Sequence, residues 1–280
     1  MKPGSLLVDV HRGAAEPPFV MIHPVGGTVF FARRFADLLP GDPSMIGLEA
    51  RGLDGRSEPH TSIEAMAEHY VELLRGRQPH GPYLLGGPSL GGIIAYEMAQ
   101  RLLAVGEEIG LLALFDTWGP GFPPRKPVLA RAREYAGLFA SAPGASGKAE
   151  LVATEIGKRI APVRAEKKRF DHDLASAEPG LGLALRRVQD ALLAAGNAYR
   201  FAPYPGRIVL FRATAVQADW VGRSFEDETN GFGALAQGGV EVIHVPGRHQ
   251  TIFDEPAVHG LAAAFGPVLA RAQEEARTKR

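Results

Sequence analysis

Nine residues, LLGGPSLGG at 84–92, constrain the fold of this chain more than any other stretch. An apolar run, PYLLGG (82–87), meets a serine and passes at once into SLGGIIAYEMAQRLLAVG (89–106), which has helical periodicity and stops at Gly106. A strand that becomes a helix within one residue must bring its backbone close to that helix. The residues two before and two after the turn therefore have to be small. Gly87-Pro88-Ser89-Leu90-Gly91 meets that condition and fits G-x-S-x-G. Such an elbow holds its serine in a strained conformation and presents the hydroxyl. The plain alternative is a glycine-rich turn with an inert serine.

The rest of the chain supplies the setting that an elbow needs. Short apolar runs recur at PFVMIH (18–23), SMIGLEA (44–50), GLLALFD (110–116), GRIVLFRA (206–213) and VEVIHVP (240–246). Amphipathic stretches separate the early ones: TVFFARRFADLL (28–39) and SIEAMAEHYVELLRGR (62–77). Strand-like and helix-like runs in alternation predict crossover units and a mostly parallel sheet covered on both faces. The stretch EPAVHGLAAAFGPVLARAQEEA (255–276) predicts a closing helix. One domain is expected, with its core in 1–116 and 206–280.

The interval 117–205 breaks the alternation. It opens with WGPGFPPRKP, too rich in Pro and Gly for a helix, and continues with helical patterns at 127–139, 149–160 and 181–201. It is too long for a plain loop. It reads as a helical insertion over the strand ends, where open α/β sheets bind ligands.

Composition excludes several functions. Lys+Arg and Asp+Glu are both 31, which argues against a general polyanion binder, since nucleic-acid binding needs a clustered basic excess. The absence of cysteine removes disulfides, thiolate metal sites and a thiol nucleophile. MKPGSLLVDVHRG has no apolar core of signal-peptide length, and no later run is long enough to span a membrane. A soluble, cytoplasmic protein is expected.

A serine hydroxyl is a weak nucleophile and needs a base that an acid orients. In sheets with this elbow the partners follow in the order Ser, Asp or Glu, His. His172, His244, His249 and His259 follow Ser89. His244 lies within a strand pattern, His259 within the last helix pattern and His172 in a charged part of the insertion. His249 follows the last strand through VPGRHQT, whose glycine can turn the imidazole over the sheet edge, and is the expected base. The acid is open between Asp116, at the tip of GLLALFD, and Asp219, in ATAVQADW after the following strand.

Several blocks in this order resemble the thioesterase domains of modular polyketide synthases and nonribosomal peptide synthetases, members of the α/β-hydrolase superfamily. They are FVMIHPVGGTVFFARRFADLL, GLEARGLDG, SIEAMAEHYVELLRGRQPHGPYLLGGPSLGG, AYEMAQRL, GEEIGLLALFDTW, GRIVLFRA and VPGRHQTIFDEP. The resemblance implies an α/β-hydrolase fold with a helical lid, formed here by about 117–205. The family places its acid in a motif matched by Leu114-Phe115-Asp116-Thr117, which favours Asp116, whereas discrete editing thioesterases would favour Asp219. By position the oxyanion donors are the amides of Val25 and Leu90, with His23 supporting their loop. Pro88 departs from the family, which commonly has an aromatic residue or histidine there. A smaller side chain at that place could reshape the acyl pocket, or the elbow could be detuned.

The expected function is a serine thioesterase that takes an acyl chain from the phosphopantetheine arm of an acyl or peptidyl carrier protein. Hydrolysis or macrocyclisation then releases it. No bound cofactor and no metal are expected. Leu138, Phe139, Ile156, Leu185 and Tyr199 would shape the acyl chamber or serve as ordinary helix packing. Arg159, Arg164, Lys167, Lys168 and Arg169 would form a docking patch for an acidic carrier or a solvated helix face. The rival functions are a carboxylester or lipid hydrolase without a carrier, and a non-catalytic binding protein on the same fold.

Overall fold

A computed structural model of the chain describes residues 6–144, 179–215, 220 and 222–278. Its centre is a seven-stranded sheet: β1 (Leu7–His11), β2 (Ala15–Ile22), β3 (Pro43–Leu48), β4 (Tyr83–Pro88), β5 (Ile109–Phe115), β6 (Ile208–Ala213) and β7 (Val240–Val245). The spatial order is β1-β3-β2-β4-β5-β6-β7. Only β1 pairs antiparallel, with β3; the other pairings are parallel. All six strands expected from the apolar runs are present. The additional strand, β1, is short and half-exposed at a sheet edge, so it lacks the continuous apolar signature of a buried strand.

The alternation of side chains along each strand fills two separate cores. Val20, Ile22, Leu85, Leu112, Leu114, Ile208 and Leu210 face one side. There they meet α2 (Ile63–Arg77) and α3 (Leu90–Ala104) through residues such as Met66, Tyr70, Ile94 and Met98. Phe19, Met21, Leu84, Leu111, Ala113, Phe115, Val209 and Phe211 face the other side. They pack on α1 (Phe30–Asp37) and the closing helix α6 (Ala257–Thr278), chiefly through Phe35, Leu261 and Phe265. Among the described residues the helices that follow α3 are α4 (Val128–Ser141), α5 (Pro179–Ala198) and α6.

Local chemistry fixes the ends of these elements. Ser62 caps α2, its Oγ accepting from the Ala65 N–H at 3.2 Å, with Glu64 in the first turn and Arg75 and Arg77 in the last. That arrangement opposes each end of the helix dipole with the favourable charge. Gln273 of α6 donates to the carbonyls of Ala15 and Pro17, both at 3.0 Å, tying the helix to β2.

The direction in which successive strands are added reverses between the parallel neighbours β2 and β4, since β3 and β1 lie to one side and β5, β6 and β7 to the other. That switch point opens a crevice at the carboxyl ends of the strands. Among the described residues no strand of the sheet lies between Phe115 and Ile208, and α4 and α5 occupy that interval. No described helix is long and apolar enough to cross a membrane.

Candidate active site

Ser89 stands where β4 ends and α3 begins, with φ 52° and ψ −118°. A non-glycine residue at that φ is strained, and packing on every side enforces it. A Cβ on Gly87 would lie 2.7 Å from Ile22 O and from Gly91 C, and one on Gly91 would lie 2.5 Å from Ile22 O. Both glycines are therefore steric requirements, and they let strand and helix meet as the motif predicts. Pro88 is the last residue of β4 and is buried.

The serine hydroxyl reaches His249 Nε2 at 3.1 Å, and His249 Nδ1 reaches Asp116 Oδ2 at 2.8 Å. Asp116 is buried and sits at φ 46°, another left-handed residue at a strand end. Its other oxygen, Oδ1, accepts the Ala213 N–H at 3.0 Å, and its own N–H donates to Phe211 O at 2.7 Å. A carboxylate beside Nδ1 requires the proton on that nitrogen, leaving Nε2 free to accept from Ser89. The site thus joins four strand ends: the loop after β2, Ser89 after β4, Asp116 after β5 and His249 after β7.

Asp116 occupies the orienting position on His249. Asp219 lies outside the described residues, as do His172, Ile156 and the basic run Arg159, Arg164, Lys167, Lys168 and Arg169. His244 and His259 stand apart from Ser89 and pair with Glu228 and Glu255, each at 2.8 Å.

Leu90 is the first residue of α3, so its N–H has no intrahelical acceptor and is available at the helix N-terminus. Val25 lies in the turn Pro24-Val25-Gly26-Gly27, closed by Gly27 N–H to Pro24 O at 2.9 Å. His23 underpins that turn. It is fully buried, Nδ1 donates to Pro24 O at 2.8 Å, and Nε2 lies 2.8 Å from the Tyr70 hydroxyl. Burial holds its pKa down at about 4, so the ring is neutral.

The lid residues divide. Leu138 and Phe139 lie on α4, which buries none of its residues, and Phe139 is exposed. Leu185 is half-buried on α5. Tyr199, expected either to line a chamber or to pack, packs: it is buried, donates to Glu97 Oε2 at 2.8 Å and lies edge-on to Phe201. With its hydroxyl so engaged, it tethers the end of α5 to α3.

Sequence reasoning missed Trp118. Its indole lies against the His249 ring, with centroids 4.3 Å apart and planes 31° apart. The available signal was an aromatic residue two places after Asp116. A small cavity beside His249 is lined by Trp118, Arg212, Trp220, Phe225 and Asn230. The Arg212 guanidinium there bonds the Phe225 carbonyl and pairs with Glu228 at 2.9 Å.

A mostly parallel sheet carrying a serine elbow at its switch point defines an α/β-hydrolase fold. Residues 17–153 match the family model of the thioesterase domain. The dimodular nonribosomal peptide synthase of Bacillus subtilis (strain 168) is 27% identical over 278 residues, covering 97% of this chain and 11% of that protein. Malpinin synthetase of Mortierella alpina is 36% identical over 113 residues, 40% of this chain and 2% of that protein. The Vlm2 thioesterase domain bound with a dodecadepsipeptide superposes with TM-score 0.62 at 25% identity, covering 96% of this chain and 98% of that one. Residues 17–153 thus match the thioesterase domain, and the chain as a whole is similar to nonribosomal peptide and polyketide synthases and to a thioesterase domain of known structure. It spans about a tenth or less of the length of the two curated relatives named.

Proposed function

We propose that the chain is a serine thioesterase releasing an acyl chain from the phosphopantetheine thioester of a carrier protein. Ser89 Oγ attacks the thioester carbonyl while His249 Nε2 takes its proton and Asp116 stabilises the imidazolium. The amides of Val25 and Leu90 hold the oxyanion. Collapse breaks the C–S bond, His249 returns the proton to the departing thiolate, and an acyl ester is left on Ser89. Water, or a hydroxyl or amine of the chain itself, then attacks that ester through the same base. The product is an acid or a macrocycle, and the proton returns to Ser89.

The observation that carries this reading is the unbroken line from Asp116 through His249 to Ser89, at 2.8 and 3.1 Å, on a serine strained at φ 52°. The similarity to synthetase thioesterase domains supports the carrier-bound substrate.

Incubation with an acyl-pantetheine thioester should add the acyl mass to the intact protein. Ser89→Ala should remove the adduct, and Asp116→Asn should lower turnover by roughly 10³–10⁴-fold. No adduct and no fluorophosphonate labelling of the wild type would favour a non-catalytic protein. Simple esters hydrolysed as fast as the thioester would favour a hydrolase without a carrier.

A further inference from the structure

The imidazole of His249 is gripped on three sides, and the proposed reaction uses two of them. Nδ1 faces Asp116 and Nε2 faces Ser89; the face of the ring lies against Trp118. One short segment, Asp116-Thr117-Trp118, delivers both the carboxylate and the indole.

That segment is braced for position. Buried Asn230 donates its side-chain N–H to Thr117 O at 3.2 Å, and its carbonyl accepts the Gly119 N–H at 2.8 Å. Asn230 thereby pins the backbone on both sides of Trp118. Trp220 meets the indole edge-on with centroids 4.8 Å apart, and Phe122 stands 6.2 Å away. The indole is held against the histidine by packing that makes no use of a ligand.

An aromatic face carries negative quadrupole density and attracts a cation within about 6 Å of its centroid, most strongly when the ring is indole. In the proposed reaction His249 becomes a cation when it takes the Ser89 proton. Among the described residues, the charged groups lining the cavity beside it are Asp116, which favours that cation, and Arg212, which opposes it but is already paired with Glu228.

We infer that Trp118 is a positioning residue for the base: its indole fixes the plane of the His249 ring and favours the imidazolium formed when Ser89 attacks. This rests on the catalytic reading of His249, but its decisive test does not need turnover.

NMR titration of the His249 ring in the resting protein should show the midpoint falling by roughly half to one pH unit in Trp118→Leu. The fall should be smaller in Trp118→Phe, which keeps an aromatic face and decides the matter alone if the leucine variant does not fold. On an acyl-pantetheine thioester, kcat/KM of Trp118→Leu should drop about three- to ten-fold. Its acidic limb should move the same way, with KM nearly unchanged. A midpoint that stays put or rises in the variants overturns the inference, as does a raised KM with an unmoved limb, which would make Trp118 a substrate wall. Absence of turnover in the wild type would remove the thioesterase reading and leave the titration result standing.

Discussion

A proline at the end of a central strand takes one donor from the ladder, and at position 88 that donor is expendable. Tyr83 and Ser89 direct their N–H groups toward the β5 side, to Glu108 O and Phe115 O. By alternation the nitrogen of residue 88 faces β2. On that side the register ends at Met21 with Gly86, so the proline removes only the next rung, where the chain is already leaving the sheet. Pairing with β5 continues through Pro88 to Phe115. The elbow therefore keeps its geometry with a rigid residue ahead of the serine. Pro88→Ala should keep Ser89 reactive and shift stability by no more than about 1 kcal/mol, read by fluorophosphonate labelling and thermal melts. A large gain in labelling would mean that the proline had been detuning the nucleophile.

At the scale of elements, α5 acts as a roof over the segments that hold Gly27, Gly52 and Leu90. Val188 is fully buried, and its two methyl groups lie 3.1 Å from where side chains on Gly27 and Gly52 would begin. A Cβ on Gly196 would stand 2.6 Å from Leu90 Cδ1. Val25, Leu90, Val188, Leu192 and Ala195 share one apolar cluster, and at Gly196 the helix stands directly against Leu90, whose amide the proposed reaction uses. Gly196→Ala gains helix propensity but drives a methyl group into Leu90. The expected result is little change in melting temperature and a fall in kcat of roughly five- to fifty-fold, below the full loss of an oxyanion donor. KM should hold, and Leu90→Val in the same chain should restore much of the rate. An unchanged kcat would mean that the roof carries no strain to the site. The amphipathic pattern at 181–201 announces a helix, and its periodicity gives no sign that Gly196 faces the elbow.

For the whole molecule, two histidines set a pH limit on stability. Burial holds His23 at about 4, and burial with His69 and Arg51 nearby holds half-buried His60 at about 4. Both have unfolded values near 6.5. The native state stays neutral at these sites while the unfolded chain takes up protons below about pH 6.5. Stability is thus fully present above that value and declines as pH falls toward 4. His23 alone accounts for roughly 3 kcal/mol as an upper bound, and solvent screening leaves His60 a smaller share. Urea melts at pH 7 and pH 5 should show the decline, and His23→Gln should flatten it. An equal decline in that variant would place the titrating group elsewhere.

Much of this architecture is written in local pattern. Six strands, the order of their helices, the elbow at Ser89 and the choice of His249 follow from apolar periodicity, glycine spacing and chain order, which depend on near neighbours. The partner of His249 needed more: Asp116 ends an apolar run, Asp219 lies in ATAVQADW beyond the following one, and resemblance alone favoured the first. Tertiary structure put Asp116 Oδ2 on His249 Nδ1. It also decided what has no local signature: the edge strand β1, the packing of Tyr199 on Glu97, the indole against His249, and the opening of Gly196 toward Leu90. Each of these joins residues distant in sequence or on facing elements. Periodicity reveals which face of an element is buried, while only the packed fold determines which side chain it meets.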